Sequence, residues 1–141
     1  KAYNGNDKMI LLDTSFLIDL LRQRRNAIDK AVELVNRDKL ATTYVNIYEL
    51  LIGVYSKKDA NYGEMLKTIE NLTEKIDILA LEKDSTIKSA KIGGELMLKG
   101  QIIGDTDNMI AGIMLANGIN TIITRDKEHF ERIKGIKVEI Y

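Results

Sequence analysis

The chain has 141 residues, a length typical of one domain, and its 21 basic side chains are balanced by 21 acidic ones. With no cysteine and one histidine, His129, the composition excludes disulfides, cysteine nucleophiles and metal sites that need two histidines, and the zero net charge argues against a protein that coats nucleic acid non-specifically. Hydrolytic chemistry in this chain must therefore use carboxylates and hydroxyl groups, either alone or with an oxygen-preferring metal ion.

Short apolar runs alternate with helical apolar patterns along the chain. In chain order they predict a strand at Met9–Leu12, a helix after Asp13 through Leu21, a helix at 26–38, a strand at Leu40–Val45, a helix from an Asn46 cap to about Tyr55, a helix at 59–72, a strand at Ile76–Leu81, helices at 82–100 and Asp105–Asn117, a strand at Thr121–Thr124, a short helix at 127–133 and a strand at Ile136–Ile140. Such alternation is typical of a parallel sheet that helices cover on both faces. The predicted fold is therefore α/β, a three-layer αβα sandwich with a mostly parallel central sheet of about five strands.

The beginning of the chain differs in character from the rest. Residues 1–8 (KAYNGNDK) are polar and precede the apolar run from Met9, so we expect them to be a tag or a disordered N-terminus and residues 9–141 to form a single domain. The longest apolar stretches, Met9–Leu12 and Met109–Leu115, fall short of the ~18–20 residues of a membrane span. We therefore expect no membrane association and a location in the cytoplasm.

Carboxylates follow or open several of the predicted elements. Asp13 follows the first strand, and Asp126 lies just beyond the fourth. Because the carboxyl ends of parallel strands lie at one edge of the sheet, where ligands bind, we expect these two acids to lie together. Glu49, in the first turn of the helix after the second strand, projects from the same edge. Asp105 and Asp107 open a later helix that could join them.

Each of these acids alone also has a structural interpretation. Asp13 and Asp126 can cap the helices that follow them. Asn46 and Glu49 fit a capping box, and acids that open a helix suit its dipole. Gathered at one edge, however, the carboxylates repel one another unless a cation neutralises them. All-oxygen ligation favours Mg²⁺ or Mn²⁺, which can drive phosphodiester hydrolysis by activating water and stabilising the leaving oxygen.

Four segments, in order over roughly residues 9 to 140, resemble the PIN-domain family and most closely its VapC-type toxins. They are MILLDTSFLIDLL, TTYVNIYELLIG, GQIIGDTDNMIAGIMLANG and TIITRDKEHFERIKGIKVE. The resemblance implies Mg²⁺ or Mn²⁺ bound by catalytic carboxylates, with hydroxyl groups in support: Asp13, Glu49, Asp107 and Asp126 as catalytic ligands, Asp105 as an additional ligand, and Thr14, Ser15 and Thr124 as supporting residues. In relatives the closing segment often carries an asparagine, or an acid three residues later, where this chain has Asp126 and His129.

The family implies a metal-dependent endoribonuclease, the toxin of a type II toxin–antitoxin pair. Its members are usually homodimers, inhibited by a cognate antitoxin whose C-terminal segment wraps the toxin and places a basic side chain in the acidic pocket. Two other functions stay open: a phosphatase with Asp13 as its nucleophile, and a non-catalytic dimeric interaction module that keeps the pocket as a relic. Phosphatases of this kind typically place a second aspartate two residues on, where this chain has Ser15.

Basic and aromatic side chains give weaker indications. Arg22, Arg24 and Arg25 form the densest basic cluster, at the end of the first helix, and either complement that helix C-terminus or contact an RNA backbone. The tyrosines around the second motif could stack on bases or pack in the core or a dimer interface. His129 is predicted to be a surface or packing residue.

Overall fold

A computed structural model describes residues 8–58 and 61–141 of the chain. In chain order its elements are β1 (Met9–Leu12), α1 (Thr14–Leu21), α2 (Arg25–Val35), β2 (Lys39–Thr43), α3 (Tyr44–Tyr55), α4 (Tyr62–Thr73), β3 (Asp77–Leu79), α5 (Lys83–Leu98), α6 (Asp105–Ala116), β4 (Thr121–Ile123), α7 (Lys127–Glu131) and β5 (Lys137–Glu139). Each predicted strand and helix has a counterpart, with ends that shift by a few residues. Apart from Lys8, the predicted N-terminal segment 1–8 lies outside the described residues. Among the described residues, no helix is long and apolar enough to cross a membrane.

The five strands form one parallel sheet in the order β3-β2-β1-β4-β5. Alternate side chains of the central strand β1 enter two separate apolar clusters. Leu11 packs with residues of α5, α6 and α7, whereas Ile10 and Leu12 pack with residues of α1, α2, α3 and α4 on the opposite face. Helices thus cover both faces of the sheet, and the predicted three-layer αβα sandwich is confirmed.

The start of α3 differs from the prediction in a way that affects the site. Thr43, rather than Asn46, is the N-cap: its hydroxyl oxygen accepts a hydrogen bond from the Asn46 backbone N–H at 3.1 Å, and Asn46 Oδ1 accepts one from the Thr43 N–H at 3.2 Å. This reciprocal pair outweighs the strand preference of Tyr44 and Val45, so the strand ends at Thr43. The predicted capping box of Asn46 and Glu49 is therefore wrong. Glu49 lies in the second turn of α3, not the first, and its carboxylate does not cap the helix.

Close packing of α5 against α6 sets the position of the α6 N-terminus. A Cβ atom at Gly112 would lie 1.9 Å from Ser89 Oγ and 2.7 Å from the Ser85 carbonyl oxygen. Only glycine permits this approach, because the Ser85 carbonyl oxygen and the Ser89 backbone nitrogen, both 2.7 Å from that Cβ position, cannot move aside as a flexible side chain can. Since Asp105 and Asp107 lie in the first turn of α6, this contact also decides where those two acids lie relative to the sheet.

Candidate metal centre

Strands β1 and β4 end side by side where the strand order reverses direction. Leu12 pairs with Ile123, and the Asp13 backbone N–H donates to the Ile123 carbonyl oxygen at 3.0 Å. Asp13 and Thr124 are therefore neighbours just beyond the carboxyl ends of these strands. A crevice at this position is the usual ligand site of an open α/β sheet.

Asp13 is held in a buried position, with only 5% of its surface exposed. Although it is the N-cap residue of α1, its carboxylate makes no capping hydrogen bond. Instead Oδ2 accepts from the Thr124 hydroxyl at 2.6 Å, and Oδ1 accepts from the Asn46 side-chain amide at 3.1 Å. Burial raises the pKa of Asp13 to about 6, against the opposing effect of the Thr124 hydrogen bond, and the charges of Asp107 and Glu49 raise it further.

Glu49 links three helices through its carboxylate. Oε1 accepts from the Thr14 hydroxyl on α1 at 2.7 Å, and Oε2 accepts from the Thr106 hydroxyl on α6 at 3.4 Å. The Asn46 amide also donates to Thr14 Oγ1 at 3.0 Å. Asn46 therefore connects the hydrogen bonds of Asp13 to those of Glu49, and it fixes the two carboxylates relative to each other.

Asp107, Asp126 and His129 form the third part of the site. His129 Nδ1 lies 2.9 Å from Asp107 Oδ2 and 2.9 Å from Asp126 Oδ2. One donor atom from each of the three side chains lies within 4.8 Å of the others, close enough to hold one metal ion. Burial raises the pKa of Asp107, the His129 hydrogen bond lowers it, and the charge of Asp126 raises it again.

The four predicted catalytic acids are brought together at this edge, and the supporting hydroxyl groups lie among them. Ser15 Oγ is 3.2 Å from Thr124 Oγ1 and accepts from the Arg125 backbone N–H at 3.0 Å. Asp105 is exposed, and within residues 8–58 and 61–141 it is not among the three side chains, Asp107, Asp126 and His129, that could together hold a metal ion. Its role as an additional ligand stays a prediction.

The three predicted RNA-contact arginines lie in different surroundings. Arg24 Nε is 3.7 Å from Asp19 Oδ1, and Arg25 Nε is 3.3 Å from Asp29 Oδ1. Arg22 instead lines an open groove of about 330 Å³ between α1, α3 and α4, together with Glu49. Of the three, Arg22 is therefore the one placed beside an acid of the site.

The sequence did not indicate a buried anchor beside the site, Asp19 of α1, which is 4% exposed. Arg125 Nε lies 3.2 Å from Asp19 Oδ2, and the Tyr141 hydroxyl donates to the same oxygen. The Tyr141 ring packs edge-on against Phe16 with the ring centres 4.8 Å apart. Burial raises the pKa of the Tyr141 hydroxyl, and its hydrogen bond to Asp19 raises the pKa further. These contacts fasten the loop after β4, which carries Asp126, to α1.

Sequence reasoning also missed Asn46 and His129 as residues of the site. His129 carried a usable signal, since it stands one helical turn after Asp126 and so shares its face. Asn46 carried none, because its role depends on α3 starting at Tyr44, which places the Asn46 amide toward β1. Asparagine also does not stand out by type, since it is common on protein surfaces.

The family of the chain follows from comparison with known protein families. Residues 10–136 match the family model of the PIN domain. The chain belongs to the PIN domain family. The resemblance seen in the four sequence segments is thereby confirmed.

Individual PIN domain relatives agree with this assignment. The chain is 28% identical to the tRNA(fMet)-specific endonuclease VapC of Shigella flexneri over 129 residues, which are 92% of this chain and 95% of the relative. The fold is similar to that of a chain of VapBC2 from Rickettsia felis, with a TM-score of 0.84 and 21% identity. The match covers 94% of this chain and 98% of the relative. It is also similar to a chain of VapBC-1 from nontypeable Haemophilus influenzae, with a TM-score of 0.80, 27% identity and coverage of 94% and 97%.

The donor set of this PIN domain fits a divalent cation, which PIN nucleases generally use. Carboxylate oxygens are the ligands that Mg²⁺ and Mn²⁺ prefer. Burial is the main cause of the raised pKa values of Asp13 and Asp107, and repulsion from neighbouring carboxylates adds to it: from Asp107 and Glu49 at Asp13, and from Asp126 at Asp107. A bound cation would relieve this repulsion.

Proposed function

We propose that this protein is a metal-dependent endoribonuclease and the toxin of a type II toxin–antitoxin pair that acts in the cytoplasm. The observation that carries the proposal is the convergence of Asp13, Glu49, Asp107 and Asp126 at the carboxyl edge of a PIN-domain sheet. It is supported by relatives named as VapC ribonucleases and by solved VapBC complexes of the same fold.

In this proposal Asp13, Asp107, Glu49 and Asp126 hold Mg²⁺ or Mn²⁺. The bound ion supplies the activation of water and the stabilisation of the leaving oxygen in phosphodiester hydrolysis. Asp13 is the fixed ligand, since the Thr124 hydroxyl and the Asn46 amide orient its two oxygens. Preorganised oxygens of this kind need no rearrangement when the substrate binds.

Asp126, besides its role as a ligand, and Arg22 act on the water and the RNA. Asp126 has 41% of its side chain exposed, against 16% for Asp107, so it is the carboxylate better placed to accept a proton from an attacking water. Arg22, in the groove beside Glu49, is positioned to contact an RNA phosphate next to the site. Arg24 and Arg25 are paired with acids and contribute less.

The phosphatase alternative gains no support from the geometry. It needs an acid two residues after Asp13, but Ser15 occupies that position and its hydroxyl holds Thr124 and the Arg125 backbone. Asp13 itself is enclosed by Asn46 and Thr124, which leaves it poorly exposed as a nucleophile.

The test is cleavage of purified transfer RNA by the full chain. A relative carries the name tRNA(fMet)-specific endonuclease, so initiator tRNA and elongator methionine tRNA are the first probes. We expect cleavage with Mg²⁺ or Mn²⁺, none with EDTA, and at least about a hundredfold loss in Asp13→Asn, since removal of even an outer-shell partner costs 10–100-fold. Asp84→Asn, an exposed acid on α5, is the matched control and should cleave normally. Cleavage in EDTA, or an unaffected Asp13→Asn, contradicts the proposal, and a phosphorylated Asp13 would favour the phosphatase.

We further propose that the antitoxin occupies the groove between α1, α3 and α4. Its walls are mainly apolar, with Ile18, Val54 and Met65 among them, and Glu49 connects it to the acidic site. This chemistry suits a segment with apolar side chains that ends in a basic one. A synthetic apolar peptide ending in arginine should inhibit cleavage, whereas the same peptide ending in glutamate should not. Equal inhibition by the two peptides would show that the charge of the terminal residue does not contribute to binding.

The homodimer expected from the family is also a proposal. Four apolar side chains lie along one face of α3 and stay between 48% and 57% exposed: Tyr44, Tyr48, Ile52 and Tyr55. An exposed stripe of this kind is typical of an interface, and a second copy of the chain presents the same stripe. Light scattering should give a dimer for the natural chain and a monomer for Tyr48→Glu. A natural chain that is monomeric at high concentration contradicts this proposal.

A further inference from the structure

His129 occupies an unusual position for a surface histidine. Its Nδ1 atom lies 2.9 Å from carboxylate oxygens of both Asp107 and Asp126, and the three donor atoms fall within 4.8 Å of one another. Its neighbour Phe130 is fully buried and packs α7 against the sheet, so packing does not require the imidazole. The side chain of His129 is 39% exposed, with Nδ1 directed toward the acids.

We propose that His129 is a metal ligand through Nδ1, so that the centre binds its cation through nitrogen as well as oxygen and prefers Mn²⁺ to Mg²⁺. This inference rests on the proposed function, because it concerns the cation of the same site. It changes the predicted centre from an all-oxygen site to a mixed one.

The ligand arrangement is consistent with the hydrogen-bond chemistry of the three side chains. A carboxylate oxygen only accepts, so without a cation Nδ1 carries the hydrogen that bonds it to Asp107 or Asp126. When Nδ1 is a ligand, that hydrogen belongs on Nε2, on a side chain that is 39% exposed to water. The two carboxylates already orient the ring, so little rotamer freedom is lost on binding.

The identity of the ligand atom determines the preferred ion. Mg²⁺ favours oxygen ligands in octahedral geometry and keeps several waters. An imidazole nitrogen improves the site for first-row transition ions relative to Mg²⁺. Loss of a residue that only supports a metal ligand lowers metal affinity by about 10–100-fold. His129→Ala should therefore weaken Mn²⁺ binding by about tenfold or more. The same change should affect Mg²⁺ binding less.

The experiment uses the fact that the chain has a single histidine. Pulsed electron paramagnetic resonance of Mn²⁺ bound to the natural chain should detect an imidazole nitrogen, which can come only from His129. The nitrogen signal should be absent in His129→Ala and in His129→Asp, while His129→Asp keeps metal binding and shifts its preference toward Mg²⁺. Calorimetric titrations with MnCl₂ and MgCl₂ give the two dissociation constants for each variant. Glu128→Gln, one residue away on α7, is the matched control and should behave as the natural chain.

Three results would overturn the inference. Bound Mn²⁺ without a nitrogen signal would refute it and leave the proposed ribonuclease intact. Tighter binding of both ions by His129→Ala than by the natural chain, together with no nitrogen signal from the natural chain, would show that His129 acts as a positive charge that competes with the metal. If the natural chain binds neither ion and Asp13→Asn behaves identically, the proposed function fails along with the inference.

Discussion

Replacement of Asp13 by asparagine is expected to stabilise the metal-free protein while it removes metal binding. Burial raises the pKa of Asp13 to about 6 from an ordinary 3.8. The folded protein therefore holds this proton more tightly than the unfolded chain does. Stability is undiminished below pH 3.8, and it falls as the pH rises until the carboxylate is fully ionised above about pH 6. The shift corresponds to a cost of about 3 kcal/mol at neutral pH, which an uncharged side chain avoids.

The hydrogen bonds of Asp13 limit this gain. Its two oxygens accept from the Asn46 amide at 3.1 Å and from the Thr124 hydroxyl at 2.6 Å. An asparagine can keep its oxygen toward Asn46, but its NH₂ then faces Thr124, whose hydroxyl must turn to accept. This exchange costs about 1–2 kcal/mol. The expected net stabilisation of Asp13→Asn at pH 7 is therefore about 1–2 kcal/mol.

Urea unfolding of the natural chain and Asp13→Asn, in EDTA from pH 4 to pH 8, measures this difference. We expect it to be zero or negative near pH 4 and to grow to its full value by pH 7. Asp84→Asn, which changes an exposed acid in the first turn of α5, should lower the free energy of unfolding by less than about 1 kcal/mol and should give no stabilisation at pH 7. With Mn²⁺ in place of EDTA the order should reverse, because only the natural chain gains the free energy of metal binding. An Asp13→Asn protein that is less stable at pH 7 in EDTA, or a difference independent of pH, would refute the reasoning.

Three further substitutions test other parts of the fold. The Arg37 hydrogen bond lowers the pKa of Glu139 to about 2 from 4.5. Glu139→Gln should therefore lower the free energy of unfolding by about 1 kcal/mol above pH 4.5, after allowance for solvent screening. In urea unfolding this difference should vanish as the pH falls toward 2. A Cβ at Gly112 would lie 1.9 Å from a serine hydroxyl of α5, so Gly112→Ala should lose about 1–3 kcal/mol in unfolding free energy. The control Gly94→Ala, which has open space around it, should be neutral or stabilising by up to about 1 kcal/mol. Asn46→Ala should lower Mn²⁺ affinity by about 10–100-fold in calorimetry; unchanged affinity would mean that its contacts do not orient the ligands.

The sequence predicts the parts of the site that depend on strand ends, and it misses those that depend on where a helix begins. Asp13 and Asp126 could be placed together because apolar runs mark the strands they follow, and parallel strands end at one edge. The sequence predicts Glu49 in the first turn of its helix, whereas it lies in the second. Tyr44 and Val45 favour a strand, and only the reciprocal bonding of Thr43 and Asn46 reveals that the helix starts at Tyr44. Such bonding depends on the backbone geometry at the end of β2, which residue type does not encode.

The partners of the carboxylates explain how a cluster of acids can persist in a folded chain and still be available to a cation. Asp13 and Glu49 are held by hydroxyl and amide groups of Thr124, Asn46 and Thr14, which are neutral donors. These donors orient the oxygens without cancelling their charge, whereas a lysine or arginine in the same place would satisfy the acids and compete with a metal ion. The pKa of Asp13 is raised mainly because the carboxylate is buried, and the uncancelled charges of Asp107 and Glu49 add to the effect. Metal binding and folding should therefore be coupled: the stabilisation by Mn²⁺ should shrink as the pH is lowered from 7 to 5, because protons then compete for Asp13. A Mn²⁺-induced increase in melting temperature that is the same at both pH values would mean that Asp13 is not a ligand.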